Sequence, residues 1–214
     1  SDLLKRDNKL FSETGSALHV SSGDVTIDGN GSLEAEIGGD DNDSAKIGSH
    51  KDEDMSGSIH ITGDATVTTK DDRDDAYYYS DGAGIGSGEN GEMSGSITID
   101  ENADVDAFSR EDGAGIGSGY GGDMSGNISI SGSAQVTAGS GWDGAGIGAG
   151  EDGTVSGTIT IDGNAQVTAW SEDSGAGIGA GEDGTVSGTI TIGGSAQVTA
   201  GSDNDGAGIG AGED

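Results

Sequence analysis

The sequence predicts an all-β chain wound as a parallel β-solenoid, and three observations carry that prediction. The segment Gly-Ala-Gly-Ile-Gly recurs with its isoleucine at Ile85, Ile116, Ile147, Ile178 and Ile209, a step of 31 residues held without a slip. Within each unit apolar and polar residues alternate, as at Ile97, Ile99, Ala103, Val105 and Ala107, which is the period of half-buried strands. A small polar residue then separates the Ile-x-Ile strand from the Ala-x-Val strand in every unit: Asn30, Asp64, Asn102, Ser133, Asn164 and Ser195. Such residues close turns with their own side chains and, when stacked, can hydrogen-bond along a ladder.

Composition alone points elsewhere. Leu, Ile, Val and Phe make up 34 of 214 residues, and 8 Lys+Arg face 40 Asp+Glu for a net charge of −32. Those values fall in the range of disordered chains. A disordered chain would not hold a 31-residue register, whereas a solenoid needs only five or six inward apolar residues per coil, because neighbouring coils complete the burial. Nucleic acid is excluded as a partner, since residues 111–214 contain no Lys or Arg and phosphate binding requires clusters of them. No apolar run approaches the roughly 20 residues of a transmembrane helix, so such a helix is ruled out and no membrane insertion is expected. The chain has no cysteine, hence neither disulfides nor thiolate metal sites.

Taken in order, residues 1–22 fall outside the repeat. Leu3, Leu4, Leu10 and Phe11 surround Lys5, Arg6 and Lys9 there, and the expectation is a short helix or irregular N-terminal cap. Residues 23–214 are the repeats. Val25, Ile27 and Leu33 precede Ile59, Ile61 and Val67 by 34 residues, and these precede the next copy by 38, so seven residues are inserted between Val67 and Ile85. Each 31-residue coil holds three short strands, and about six coils stack at ~4.8 Å each. A coil this long favours the right-handed form over the compact left-handed hexapeptide helix. The chain stops at Glu213-Asp214, in the phase of Glu151-Asp152 and Glu182-Asp183, and the solenoid is expected to continue in a longer parent protein.

The glycine strand stands out. With Ala83, Ile85 and Ser87 inward, Gly82, Gly84, Gly86 and Gly88 point outward. Repeated through five coils this predicts a flat face of bare backbone, open to lateral self-association. Glycine weakens a strand, so its recurrence calls either for close approach by another sheet, a polymer or a neighbouring molecule, or for a tight coil geometry.

Six of the eight aromatic residues, Tyr77, Tyr78, Tyr79, Phe108, Trp142 and Trp170, map to one corner of the coil, the loop before the next Gly-Ala-Gly-Ile-Gly. Tyr77, Phe108 and Trp170 share a phase, and Gly139 is the intervening member. Exposed rings beside carboxylates and hydroxyls can stack on pyranose faces, which makes these six the candidate ligand residues. Carboxylates stack too: Asp81, Asp112, Asp143 and Asp205 in one phase, Glu151 and Glu182 in another, followed by Asp152 and Asp183. Like charges ~5 Å apart repel by roughly 3 kcal/mol at an effective dielectric of 20, a cost that bound Ca²⁺, high salt or splayed loops would relieve. These eight are the candidate metal ligands, with calcium as the expected structural cofactor. No catalytic signature surrounds His19, His50 or His60, and Lys70, Arg73 and Arg110 are the only candidate bases near the inserted loop.

Gly-Ala-Gly-Ile-Gly followed by Ser-Gly-Thr-Ile-Thr-Ile and Ala-Gln-Val-Thr-Ala, as at 144–148, 156–161 and 165–169, resembles the glycine-rich repeats of large bacterial surface proteins. The copies around 25–35 and 59–69 are similar to carbohydrate-binding β-helix domains related to polysaccharide lyases. The resemblance implies a secreted or cell-surface location, a right-handed β-helix and often calcium. It assigns no binding residue, because the shared pattern is one of core positions. The function expected is a non-enzymatic adhesin or carbohydrate-binding stalk whose partner is a polysaccharide or host glycan. Two alternatives stand beside it: ice binding through Thr158, Thr160, Thr189 and Thr191, and polysaccharide lyase activity.

Overall fold

The structure, a computed structural model, describes residues 7–39, 42–71 and 80–213. It is an all-strand parallel β-solenoid with three principal sheets and, among the described residues, no helix. The longest strands, Asn8–Ser12, Ser32–Ile37, Thr66–Asp71, Asp104–Ser109, Gln135–Ser140, Gln166–Ser171 and Gln197–Ser202, form one sheet in that order. We call it the long sheet. A second, the glycine sheet, stacks seven two-residue strands, from Leu18–His19 through Ile85–Gly86 and Ile147–Gly148 to Ile209–Gly210. The third stacks six four-residue strands, from Asp24–Ile27 to Thr189–Ile192. A short ladder through Met55, Met93, Met124 and Val155 closes the coil.

Register follows the repeat. Ile85 pairs with Ile116, Ile116 with Ile147, Ile147 with Ile178 and Ile178 with Ile209. The 34- and 38-residue steps are honoured as well: Val25 pairs with Ile59, Leu33 with Val67, and Ile47 with Ile85. All of these isoleucines are fully buried except Ile209 in the last described coil. The core is therefore a set of single-residue columns, each apolar side chain packed between its equivalents above and below. The seven extra residues fall between Asp71 and Ser80, and residues 72–79 lie outside the described residues.

Two sequence expectations are corrected. Residues 8–19 form no helix and carry two strands: Asn8–Ser12 pairs in parallel with Leu33–Ile37 and Leu18 pairs with Ile47, so this segment adds a further coil. Leu10 and Leu18 reach the core by the same alternation that governs the other coils.

The glycine strand presents no bare outer face. Gly82, Gly84, Gly86 and Gly88 are buried, as are their equivalents at 113–119 and 144–150. A Cβ on Gly84 would lie 2.5 Å from the Gly115 carbonyl oxygen and 2.8 Å from the Phe108 nitrogen; one on Gly146 would lie 2.6 Å from the Trp170 nitrogen. The close approach that explains these glycines is thus intramolecular, the end of the long sheet folding back on the glycine sheet. Gly86, Gly117, Gly148 and Gly179 add φ values of 138° to 143°, which side-chain-bearing residues rarely adopt. The surface expected for lateral self-association is occupied by the chain itself.

Serines stitch the corners. Ser109 Oγ donates to the Gly82 carbonyl at 2.9 Å, Ser140 Oγ to Glu111, Ser171 Oγ to Trp142 and Ser202 Oγ to Asp173, the last three at 2.5 Å. Each bond ties a corner loop to a serine of the next coil's long strand. The polar turn residues behave more simply: Asn102 Nδ2 donates to Asp64 Oδ1 at 3.0 Å, while their backbone N–H groups, such as those of Asn164 and Ser195, carry the ladder.

Candidate functional site

Phe108 and Trp170 sit in strands of the long sheet, not in the loop after it. The alternation of those strands turns both rings outward, where they are half-buried. Phe108 pairs with Gly139 and Gly139 with Trp170, so their backbones lie two rungs, about 10 Å, apart. The gap at Gly139 is filled by Trp170: a Cβ there would collide with the indole. Both rings line an open groove of about 320 Å³ whose walls also include Thr68, Asp106, Thr137 and Glu172. A neighbouring depression adds Arg110, while the Lys70 ammonium is engaged by Glu34. Trp142, 51 % exposed, lines neither depression and stands at the corner beside Asp143. Tyr77, Tyr78, Tyr79 and Arg73 lie outside the described residues.

The acidic corner forms where the long sheet gives way to the glycine sheet. Each aspartate there is held by two inter-coil bonds. Asp112 Oδ1 accepts the Asp143 N–H at 3.3 Å, and Asp143 Oδ1 accepts the Ser174 N–H at 3.0 Å. The Asp112 carbonyl also accepts the Glu151 N–H at 2.9 Å, and the Asp143 carbonyl that of Glu182 at 2.8 Å. These bonds draw carboxylates of successive coils together. Oxygens of Asp43, Asp81 and Glu89, of Asp81, Glu111 and Asp112, and of Asp112, Asp143 and Glu151 each lie within 4.8 Å of one another.

Charge crowding is visible in the acidities. Burial, reinforced by the Asp112 charge, pushes Glu151 up to about 8. Burial and then Asp81 raise Glu111 to about 7, and burial and then Asp112 raise Asp81 to about 6. Glu182 reaches about 7, chiefly through its hydrogen bond with Asp143. At the first rung a cation is built in. Lys51 Nζ lies 2.7 Å from Asp43 Oδ2 and also contacts Glu89.

Of the expected metal ligands, the structure brings together Asp81, Asp112, Asp143 and Glu151, with Glu182 beside Asp143. Asp152 and Asp183 are exposed, in left-handed turn positions with φ of 60° and 53°, and Asp205 is exposed in the last coil; none joins a cluster. Sequence reasoning missed Asp43 and Glu111 as cluster members, whereas Glu89 lies in the stacked phase of Glu151 and Glu182. Asp43 could have been found, since it precedes Ile47 by four residues as Asp81 precedes Ile85. Glu111 breaks the phase and carried no signal.

His19 and His50 stack with ring centroids 3.9 Å apart, and Glu53 Oε2 lies 2.7 Å from His19 Nε2. The trio is a poor metal site. His50 Nδ1 accepts the Ser16 N–H at 3.0 Å, which leaves the proton of the neutral ring on Nε2 and removes the lone pair that a metal would need there.

A β-helix repeat family model matches residues 59–89, 97–120, 128–151 and 159–182. No curated protein and no solved structure matches the chain significantly. Fold and repeat together make the chain a parallel β-helix repeat protein.

Proposed function

We propose that this chain is a non-enzymatic glycan-binding solenoid, acting as an adhesive stalk of a secreted or cell-surface protein. The observation that carries the reading is the pair Phe108 and Trp170, outward and half-buried on one sheet and lining a single groove with hydroxyls and carboxylates. Aromatic rings of this kind offer a flat apolar face at low conformational cost, suited to the apolar face of a pyranose. Thr68, Thr137, Asp106 and Glu172 supply acceptors and donors for sugar hydroxyls. The location rests on the resemblance of the repeats to those of bacterial surface proteins. A lyase would want a free base beside its substrate; Lys70 is paired with Glu34, which leaves Arg110 of the neighbouring depression as the described candidate.

The test is a glycan array followed by calorimetry on Phe108→Ala/Trp170→Ala. Binding should be lost with little change in melting temperature, because half-exposed rings contribute little to the core. Binding retained by the folded double variant would remove the groove from consideration. Ice binding is supported by the pairing of Thr158 with Thr189 and Thr160 with Thr191, and is opposed by His60 and Asn127 in the same columns. Thermal hysteresis measures it directly.

A further inference from the structure

In a solenoid each coil is held mainly by its neighbours, and the first described coil stands at an end of every sheet it joins. Its apolar residues Leu10 and Leu18 are only partly buried. The turn at residues 13–17 is fastened to the second coil by side chains. Asn42 Nδ2 donates to the Gly15 carbonyl at 3.3 Å, Ser16 Oγ donates to the Ser49 carbonyl at 2.9 Å, and His50 Nδ1 accepts the buried Ser16 N–H at 3.0 Å. Of these three bonds only the last can titrate. The ring has little room to turn away. His19 stacks on it with planes 7° apart, and a Cβ on Gly15 would stand 2.6 Å from its Cε1 and 2.8 Å from its Nδ1.

A backbone N–H can only donate, and a protonated imidazole has a donor at both nitrogens. Charging His50 therefore sets two donors against each other and leaves the Ser16 N–H buried without an acceptor, which is costly. The groups around the ring do little to compensate. Glu53 Oε2 lies 2.7 Å from His19 Nε2 and accepts the His50 backbone N–H at 3.3 Å. Glu13, Asp43 and Lys51 line a cavity of about 430 Å³ with His50, and Lys51 is paired with Asp43 and Glu89. Among the described residues no carboxylate bonds to the His50 ring. Burial, and then the neighbouring His19, hold its pKa below the ordinary imidazole value.

We propose that the bond between His50 and Ser16 is an acid-sensitive latch: protonation of His50 releases residues 8–19 from the second coil while the remaining coils stay stacked. Once the end coil is released, His50 regains the ordinary affinity of an exposed imidazole, so the open state binds the extra proton below about pH 6.5. The latch is shut above that value and opens as pH falls through it. The corner carboxylates, whose pKa values are raised, act in the opposite sense and lie on other coils, so a residue-resolved measurement separates the two. Release leaves the edge of the strand Ser32–Ile37 unpaired, with Leu33 and Ala35 uncovered, and such an edge is a template for pairing with another chain. The proposal is independent of the glycan reading.

Amide hydrogen exchange followed by NMR on the full chain, corrected for the intrinsic effect of pH, is the test. Protection at Ser16 and at Leu18, whose N–H bonds to the Lys46 carbonyl, should fall by up to about tenfold for each pH unit below about 6.5. Ile85 and Ile116 should keep theirs. His50→Asn, whose side-chain oxygen can accept the Ser16 N–H but takes no proton, should keep Ser16 and Leu18 protected in acid. Equal protection above and below the transition in the unaltered chain overturns the proposal, as does an acid loss that persists in folded His50→Asn. Should His50→Asn leave the end coil open at every pH, the unaltered chain decides. An opening midpoint that coincides with titration of the His50 ring signals supports the latch, and a midpoint apart from it overturns it.

Discussion

Lys46 and Asp71 face each other inside the solenoid, Nζ 3.2 Å from Oδ1, with the lysine fully buried and the aspartate 8 % exposed. Lys46 precedes Ile47 where Gly84 precedes Ile85 in the next coil, and Asp71 lies three residues past Thr68 as Ser109 lies past Asp106. Ser80 Oγ, 3.1 Å from Nζ, completes the contact across the residues 72–79 insertion. An ion pair thus replaces the glycine and serine of the regular coil where the chain is longest.

Removing one partner strands the other. Lys46→Met should destabilise the protein by about 3–5 kcal/mol, the usual cost of an uncompensated buried charge. The double change Lys46→Gly/Asp71→Ser, which restores the regular coil, should recover most of that loss. Urea unfolding measures both, and equal losses in single and double variants would show that the pair's charges are irrelevant.

Glycines with the same repeat phase as larger residues should respond very differently to alanine. Gly148 combines a φ of 138° with a Cβ direction aimed at the Gly179 carbonyl, whereas a Cβ on Gly201 meets nothing within 4 Å. Gly148→Ala should cost about 1–3 kcal/mol or more, as strained backbone does. Gly201→Ala should stay within about 0.5 kcal/mol. Thermal melts of the two side by side check the assignment of the glycine sheet as buried.

Acidity makes a third prediction. In EDTA, Glu151 near 8, Glu111 and Glu182 near 7 and Asp81 near 6 all lie above their ordinary values. Between those ordinary values and the raised ones the native state binds more protons than the unfolded state, so stability falls as pH rises. The melting temperature should therefore be higher at about pH 5 than at about pH 8. Glu34 and Glu53, held below the usual range by Lys70 and His19, oppose this only in more acid solution. A melting temperature that climbs toward pH 8 would mean the corner carboxylates are well solvated.

The architecture was legible because periodicity survives in any single coil: one isoleucine column, Ile85 to Ile209, implies every neighbouring column at a constant offset. Residues 8–19 were not legible, since Leu10 and Leu18 lack the Gly-Ala-Gly-Ile-Gly context that marks the other coils. The glycine sheet was misjudged for a different reason. Alternation says which way Gly84 faces but not that the Phe108 backbone lies against it. At the corner, the stacked aspartates were visible as a phase, and Glu111 was not, because it joins them from a loop. Lys46 and Asp71 gave no hint of meeting, being separated by 25 residues and by two sheets.

The order of strands puts the first and last described coils at opposite ends of the stack, with the inter-coil backbone bonds running along its axis. Tension applied between the two ends would load those bonds one coil at a time, like a zip, and not all together in shear. Each regular coil peeled away would free 31 residues, about 105 Å of extended chain. A molecule of this kind, used as a tether, would lengthen in equal steps under load while the coils still stacked remained intact, the serine stitches at the corners setting how readily each step is taken.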